Sequence, residues 1–415
     1  MAKPRLLVFP FGYLSHYLRC IALCHYWREH FDILFASHVK YDSFVLAAGF
    51  GSFACDTFDE NAVLEHAKRF SFSWMNELAL EQVFKAQVAV IKHLIPVAVL
   101  GDATPTLKMA AQLTGRHHIS LINGYMSKHY AGVRCIPRQH FAYNLMRVMP
   151  EPAADFFTRL GEAIAFRLVH TPFKKLRARY SLPAANTFLD EYEGDTTLIC
   201  DLPELFPQRP LPEGYSVIGP LLYSGEGGTT AEHWQPTAKK RIYVSMGSTG
   251  DWQRVAFLND EAYAIYDIVT TGDTMQVLNA AHISPIGFTS AAAIMPGTAL
   301  VICHGGNGTV YQALAYGVPL LCAPDFFEQE WNVAAIVSAR LGHSLHKVKQ
   351  DSIFKLIAAC VTGGISEQQR SVQRAIAASL AEQGVKLGRV AARLLENKQR
   401  RQNEPAGAAP NVAMD

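Results

Sequence analysis

Residues 301–314 read VICHGGNGTVYQAL, a pattern that predicts a buried strand, a glycine-rich turn and the start of a helix. Glycine lets the main chain come close to a ligand, and the first N–H groups of a helix are unpaired donors that suit an anion. The segment therefore favours a phosphate-binding turn centred on His304. A tight turn without any ligand is the alternative, because short glycine-rich turns are common.

Strand-like and helix-like segments alternate along the chain. In the first half, apolar runs at 6–9, 32–36 and 97–100 predict buried strands, and a helix is predicted to begin near His16. Residues 205–214, rich in proline and glycine, interrupt the pattern. Beyond them a helix is predicted from about residue 253, and strands are predicted at 241–245, 267–271 and 299–303.

Strands separated by helices are typical of parallel sheets with right-handed crossovers. We therefore expect an α/β protein with two facing doubly wound domains, an N-terminal domain over 1–212 and a C-terminal domain over 213–396. A possible capping box, with Ser366 followed three residues later by Gln369, predicts a last helix that can pack back on the first domain. The composition of 397–415 predicts a disordered tail.

Composition describes a globular protein. Hydrophobic residues make up 49% of the 415 positions and charged residues 18%, and no apolar run is long enough to cross a membrane. The first apolar run is too short for the core of a signal peptide. The eight cysteines include no CxxC pair, so they are interpreted as small buried residues in a reducing, cytoplasmic setting.

Several short motifs occur together around the glycine-rich turn. They are His-Gly-Gly-x-Gly-Thr from His304, Ala-Leu-x-x-Gly-Val-Pro at 313–319, Pro324, the pair Glu328-Gln329, and Asn332. Their order and spacing resemble the donor signature of the family 1 UDP-glycosyltransferases. The resemblance covers nearly the whole chain, strongest over 241–341 and weakest over 124–188. It implies the GT-B type of two-domain fold and transfer of a sugar from a nucleotide-sugar donor.

The resemblance also implies roles for the matching residues of the second domain. His304 and the N–H groups after it would hold the diphosphate, with the turn of Gly247 and Ser248 opposite, while Glu328 and Gln329 would contact sugar hydroxyls. The implied donor-binding residues are Gly247, Ser248, His304, Gly305, Gly306, Asn307, Gly308, Thr309, Gln312, Glu328 and Gln329.

Two departures from the family pattern leave the nucleotide open. Gln312 stands where the family usually has a glutamate that binds the ribose hydroxyls, so ribose and deoxyribose both remain options. The aromatic residue that stacks on the base in plant members has Phe288 as its nearest counterpart. The sequence is thus compatible with a UDP-sugar or a dTDP-sugar.

In the first domain, residues 12–16 (GYLSH) resemble the family's Gly-His loop, whose histidine is the general base. Asp102 follows a predicted buried strand, where the family has the carboxylate that orients this histidine. On residue chemistry alone, His16 could be a packing residue and Asp102 a cap for the helix through Leu107 to Leu113. The resemblance favours His16 and Asp102 as a catalytic pair.

These roles imply a single displacement with inversion at the anomeric carbon. The histidine would take the acceptor proton, and preorganised N–H groups would stabilise the leaving diphosphate. The sequence has no Asp-x-Asp motif, so we expect no metal ion, no cofactor beyond the nucleotide-sugar cosubstrate, and no nucleic acid partner. A nucleotide-sugar epimerase and a non-catalytic auxiliary protein with the same fold are the alternatives.

Positive charge is concentrated between Gly124 and Tyr180. This segment has ten lysines and arginines against three acidic residues, whereas the net charge of the whole chain is +2. With its aromatic residues, it predicts a rim on the acceptor side, for which a hydrophobic small molecule or lipid is the expected acceptor. Attraction of an acidic acceptor or contact with an anionic membrane surface is one interpretation of the charge, and ordinary solvated charge near helix ends is the other.

Overall fold

A computed structural model describes residues 3–223, 225, 238–271 and 277–403, with side chains as far as Glu396. These residues form two domains, each built on a parallel sheet. The strands of the first sheet are β1 (Arg5–Pro10), β2 (Asp32–Ala36), β3 (Gly51–Phe53), β4 (Ala98–Asp102), β5 (His117–Ile122), β6 (Thr196–Ile199) and β7 (Tyr215–Val217). Those of the second are β8 (Arg241–Ser245), β9 (Asp267–Thr271), β10 (Ile283–Ile286), β11 (Thr298–Cys303), β12 (Leu320–Cys322) and β13 (Gly342–Ser344).

Helices connect the strands in both domains. In the first domain they are α1 (Leu14–His25), α2 (Asp42–Ala47), α3 (Glu60–Lys68), α4 (Glu77–Leu94), α5 (Leu107–Thr114), α6 (Tyr143–Val148), α7 (Glu151–Val169), α8 (Thr171–Arg179) and α9 (Phe188–Glu191). In the second they are α10 (Ala291–Ile294), α11 (Asn307–Ala315), α12 (Phe327–Ser338), α13 (Ile353–Thr362) and α14 (Glu367–Asn403).

The strand orders confirm the expected α/β architecture of two doubly wound domains. Within the described residues the first sheet has the order β3-β2-β1-β4-β5-β6-β7 and the second has the order β10-β9-β8-β11-β12-β13. All of these pairings are parallel. In each sheet the chain winds outward from a central pair of strands, β1 and β4 in one and β8 and β11 in the other.

The apolar strands are buried on both faces, as parallel sheets require. Along β1, Leu6 and Val8 belong to one hydrophobic cluster, whereas Leu7 and Phe9 belong to another. Because side chains alternate along a strand, one uninterrupted apolar run supplies both clusters. This explains why the first strand reads as a continuous hydrophobic segment.

The boundary between the domains lies later than the expected residue 212. β7 pairs in parallel with β6, with Thr197 opposite Tyr215, so the first sheet continues to Val217. The proline-rich segment before it is therefore a connection inside the first domain. Composition alone does not reveal that a three-residue strand follows such a segment, because it is too short to show a period.

Two helix predictions need adjustment. The helix expected from about residue 253 is a 3-10 helix, Trp252–Asn259, followed by a second one at Glu261–Ile265. The last helix continues to Asn403, beyond the predicted tail start at residue 397. The rest of the predicted tail, 404–415, lies outside the described residues.

The last helix touches both domains. Its start carries the predicted capping box, since the Ser366 N–H donates to Gln369 Oε1 at 2.7 Å and the Gln369 N–H to Ser366 Oγ at 3.2 Å. Ile376 packs in a cluster of second-domain residues, while Leu387 packs in the core of the first domain. The indole N–H of Trp27 donates to the Leu387 carbonyl at 2.9 Å. In the described part of the chain, no helix combines the length and the apolar character needed to span a bilayer.

Candidate active site

The two halves of the site lie where the strand order of each sheet changes direction. In doubly wound sheets this position leaves a crevice at the carboxyl ends of the strands. His16, in the first turn of α1, follows β1, and Asp102 ends the neighbouring β4. In the second domain, the turn with Gly247 follows β8 and His304 follows the neighbouring β11. Parallel pairing therefore brings together residues that are far apart in sequence.

His16 and Asp102 form a close pair. The imidazole Nδ1 lies 3.0 Å from Asp102 Oδ1, and the carboxylate is completely buried, while the histidine side chain is 15% exposed. This contact assigns the Nδ1 proton to the bond with Asp102, so that Nε2 can accept a proton. Among the described residues Nε2 has no hydrogen-bond partner. Asp102 is not a helix cap, because α5 begins at Leu107 with Thr106 in the capping position.

A third residue, Arg19, completes the group on the buried side. Its Nε donates to Asp102 Oδ2 at 2.7 Å, its Nη2 donates to Oδ1, and its Nη1 donates to Asn123 Oδ1. Burial by itself would raise the pKa of Asp102, but Arg19 and His16 together hold this pKa below its usual value. Asp102 is therefore a carboxylate at neutral pH, as a residue that orients an imidazolium must be.

The imidazole of His304 is packed among glycines. A Cβ atom at Gly306 would lie 2.3 Å from His304 Nε2, and one at Gly247 would lie 2.6 Å from Cε1. Both distances are shorter than any tolerated contact, so these two positions exclude side chains. Gly305 has a φ of 88°, a conformation that L side chains rarely adopt. Gly305 and Gly306 of the predicted turn are thus required by the backbone and by the ring, whereas a side chain at Gly308 would meet open space.

The start of α11 offers main-chain donors. Gly306 is the capping position and no side chain caps the helix there, so the N–H groups of the first turn keep their capacity for an anion. Burial lowers the pKa of His304 to about 4. The imidazole is therefore neutral at pH 7, and it can contribute a hydrogen bond but no positive charge to a bound diphosphate.

Asn307, at the beginning of α11, is held by a buried carboxylate of the other domain. Its Nδ2 donates to Asp201 Oδ1 at 2.6 Å, and the N–H of Gly124 donates to Asp201 Oδ2 at 2.6 Å. The hydroxyl of Tyr311, one turn later, accepts from the Leu202 N–H at 2.9 Å. Burial raises the pKa of Asp201 to about 6. Asp201 therefore joins the glycine-rich turn to the first domain across the cleft.

Glu328 and Gln329, at the start of α12, have different surroundings. Burial raises the pKa of Glu328, and this rise is limited by the positive charges of His16, when protonated, and Arg19 and by the hydroxyl of Tyr125. The carboxylate thus faces the pair of His16 and Asp102 across the cleft. Gln329 is buried, and its amide accepts from the Asp325 N–H at 2.7 Å and donates to Thr249 Oγ1 at 3.3 Å. Gln329 is therefore engaged in positioning α12, and its predicted contact with the sugar stays a prediction.

Aromatic side chains line the cleft beside His16. The ring of Phe11 lies 6.1 Å from that of His16 and 5.3 Å from that of Tyr13. Trp74 packs against Phe11 and Phe58 at 6.1 and 5.0 Å. Tyr13 and Trp74 are only half-buried, so the wall presents apolar surface next to the proposed proton acceptor.

Comparison with known proteins shows to which class of enzyme this chain is similar. Residues 271–387 match the glycosyltransferase family 28 C-terminal domain. The spinosyn forosaminyltransferase SpnP has a similar structure, with a TM-score of 0.66 and 15% identity over 94% of this chain and 100% of the other. Glycosyltransferase VinC in complex with dTDP gives a TM-score of 0.64 and 17% identity over 94% and 100% of the two chains. A PGL/p-HBAD biosynthesis rhamnosyltransferase of Mycobacterium bovis (strain BCG / Pasteur 1173P2) is 26% identical over 377 residues, 89% of this chain and 81% of the relative.

The chain is a glycosyltransferase similar to those of family 1. Its fold is the GT-B arrangement that the motifs around His304 led us to expect. In this glycosyltransferase the predicted residues His16 and Asp102 meet on one side of the cleft, and the glycine-rich turn and Glu328 lie on the other.

For three residues that were predicted to bind the donor, the surroundings in the structure do not assign a role. Ser248 is exposed and its hydroxyl is hydrogen-bonded to that of Tyr41 in the first domain. Gln312 is half-buried, and within the described residues its amide has no partner. Phe288 packs with its edge on Phe44 of the first domain at 5.0 Å. Their roles toward ribose and base stay predictions.

Sequence analysis missed Arg19, Asn123 and Asp201. A signal existed for Arg19, because it lies three residues after His16 in an otherwise apolar helical segment, on the same helix face. A signal also existed for Asp201, which follows the apolar end of a strand as Asp102 does. Asn123 follows β5 in the same way. Each lies at the carboxyl end of a parallel strand or on the first helix, where ligands of doubly wound proteins bind.

Proposed function

We propose that this glycosyltransferase moves a sugar from a nucleoside diphosphate donor to a hydroxyl group of a hydrophobic natural product or lipid, with inversion at the anomeric carbon. The observation that carries the proposal is the 3.0 Å contact between His16 Nδ1 and Asp102 Oδ1, opposite the glycine-rich turn at His304. This contact gives the free Nε2 the character of a general base.

The reaction follows from these positions. The acceptor hydroxyl gives its proton to His16 Nε2 as its oxygen attacks the anomeric carbon. The bond between that carbon and the diphosphate oxygen breaks, and the diphosphate leaves with the electron pair. Asp102 stabilises the imidazolium that forms, and the N–H groups at the start of α11 stabilise the charge on the leaving group. One displacement of this kind inverts the anomeric configuration.

A thymidine diphosphate sugar is the donor to test first. The relative from M. bovis is named as a rhamnosyltransferase, and the VinC structure contains dTDP. Gln312 replaces the glutamate that the family uses for ribose hydroxyls, which is compatible with a deoxyribose. UDP-sugars are the second choice.

A hydrophobic acceptor is supported by the wall of Phe11, Tyr13, Phe58 and Trp74 beside His16. Flat aromatic surface binds aglycones by area and shape and offers few polar groups for selection. The relative's name places it in PGL/p-HBAD biosynthesis, which supports a phenolic or lipid acceptor here.

The test is an array of dTDP- and UDP-sugars against phenolic, polyketide and lipid acceptors, with products detected by mass spectrometry. Their anomeric configuration is then read by nuclear magnetic resonance. We expect a product with the configuration opposite to that of the donor. Retention would contradict the mechanism, conversion of the donor without acceptor would indicate an epimerase, and donor binding without any turnover would indicate an auxiliary protein.

A further inference from the structure

Helix α7 turns an apolar stripe toward solvent. Phe157, Leu160, Ile164 and Leu168 recur every three or four residues, so they share one side of the helix. All four are exposed, Leu168 by 67%. Phe156, next to them, is 63% exposed, and its ring lies 5.4 Å from that of Phe157. We call these five residues the α7 stripe.

The inner side of the same helix has both polar and apolar contacts. Thr158 is the one buried residue of this fully described helix. Glu162 forms an ion pair with the buried Arg134, and Phe166 and Val169 pack against the core of the first domain. A surface helix of a globular protein normally buries its apolar side and exposes its charges. Helix α7 is therefore held by its inner side, while a second apolar side, the α7 stripe, stays uncovered.

The preceding helix, α6, also exposes apolar side chains. No residue of this helix is buried, and Leu145 and Val148 are exposed, as is Phe141 just before it. Two consecutive helices thus present large hydrophobic side chains to solvent. Several exposed apolar side chains on neighbouring elements mark an interaction site in a globular protein.

Positive charges flank this region. Arg147, Arg167 and Lys174 are exposed, and within the described part of the chain none of them has an ion-pair partner. Lys175 and Arg179, farther along, are instead paired with Glu77 at the start of α4. Of the unpaired cations, Arg167 precedes Leu168 on α7 and Arg147 precedes Val148 on α6, so both stand beside exposed apolar residues.

We propose that α6 and α7 form a docking surface for an anionic lipid bilayer, with the α7 stripe in the acyl region and the flanking cations at the headgroups. Apolar residues on one side of a surface helix with basic residues beside them are the pattern of helices that lie in the interface of a membrane. A second copy of the chain fits less well, because a two-fold contact brings the same arginines of both copies to one interface.

The surface is linked to the cleft by short contacts. Arg134, which forms the ion pair with Glu162 of α7, also donates a hydrogen bond through Nε to the carbonyl of Tyr125. Tyr125 lies beside Glu328 at the catalytic side. Docking through α7 therefore brings the acceptor side of the cleft near the bilayer. The surface itself does not depend on the identity of the acceptor, so its test needs no transfer reaction.

The test is sedimentation of the full chain with vesicles of phosphatidylcholine alone or with phosphatidylglycerol added. We expect binding to the anionic vesicles and weaker binding at high salt, which screens the cations. Leu160→Ser with Ile164→Ser should weaken it by roughly tenfold or more, since two inserted side chains lose apolar burial. Arg147→Glu with Arg167→Glu should weaken it on anionic vesicles by about fivefold or more per residue.

The matched control is Leu78→Ser on α4, an exposed leucine outside this region. It should bind vesicles like the wild type, and thermal unfolding and dTDP binding should stay unchanged in all variants because the altered residues are exposed. Failure of the wild type to bind anionic vesicles would overturn the proposal. So would unaltered binding by the serine variant, or a dimer in sedimentation velocity that the serine variant makes monomeric while vesicle binding is absent.

Discussion

Arg19 forms a bidentate ion pair with Asp102: Nε donates to Oδ2 at 2.7 Å, and Nη2 donates to Oδ1, the oxygen that also contacts His16. The guanidinium also lies 3.4 Å from His16 Nδ1. Arg19 thus fixes the carboxylate that holds His16, and we expect it to act as a positioning residue, through this pair alone.

Replacing Arg19 should therefore lower kcat more than it raises KM. In Arg19→Met the carboxylate of Asp102 loses its bonds to the guanidinium and no longer holds His16 in one orientation, so kcat should fall by roughly tenfold or more. Loss of one member of a buried ion pair should also cost about 3–5 kcal/mol of stability. Arg19→Lys, which keeps the charge, should recover part of the lost kcat. Unchanged kcat in a folded Arg19→Met protein, measured by steady-state kinetics, would contradict the positioning role.

His16→Ala should lower kcat by about 10²–10⁴-fold, the usual contribution of a general base. Donor binding should stay nearly intact, because His16 lies on the acceptor side of the cleft. Asp102→Asn should cost less, since the imidazole remains. His93→Ala, an exposed histidine of α4, is the control and should match the wild type. Steady-state kinetics and calorimetric titration with dTDP decide the matter, and near-normal turnover in His16→Ala would refute the assignment.

Glu328→Gln should affect the intact sugar donor more than the free diphosphate, if the carboxylate contacts the sugar as the sequence predicts. We expect turnover to fall by roughly tenfold or more and the Kd of dTDP to change by less than about threefold. His304→Ala should instead weaken dTDP binding and turnover together. Titration of both variants with dTDP, compared with KM and kcat for the sugar donor, separates the roles. Equal losses for both ligands in Glu328→Gln would exclude the sugar contact.

Asp201 should make the stability of the protein depend on pH. Its folded pKa of about 6 is above the unfolded value of 3.8, so its favourable contribution is complete below about pH 3 and is lost as pH rises through the folded pKa. Relative to Asp201→Asn, which does not titrate, the wild type should lose about 3 kcal/mol between about pH 3 and pH 7, at 1.36 kcal/mol per pKa unit. Urea unfolding of both proteins at several pH values measures this difference. A constant difference would show that Asp201 has an ordinary pKa.

Leu387 of α14 should matter for the first domain, although it lies in the C-terminal part of the sequence. The side chain is fully buried in the core that contains Trp27. Leu387→Ala should lower the unfolding free energy by about 2–5 kcal/mol, the range for a buried leucine. Val385→Ala, two residues earlier and 58% exposed, should change it little. Equal effects of the two substitutions would mean that the helix does not pack on the first domain in solution.

The sequence was sufficient to predict that His16 and Asp102 lie together, but it was not sufficient to predict the residues around them. His16 and Asp102 could be predicted because each lies near the end of a clear apolar strand, and parallel strands bring such ends together. Arg19 could not be predicted, since an arginine in a helix is usually solvated and only the tertiary fold shows which side of α1 is buried. Gln329 matched a family motif, yet its amide is used by Asp325 and Thr249. Motifs fix which residues are near a site, and packing decides which of their atoms are free.

The course of α14 has a consequence for how the cleft can open. Between its two packed ends, Gln383 donates to the carbonyls of Ile218 and Pro220 at 3.0 and 3.1 Å, at the very connection between the domains. A rotation of one domain away from the other must therefore pivot near this crossing, or else separate the helix from one of its two cores. It must also part the buried rings of Tyr125 and Trp331, which lie 5.5 Å apart on either side of the domain boundary. The chain thus couples any opening of the cleft to exposure of aromatic surface, which is a cost that a bound substrate can offset.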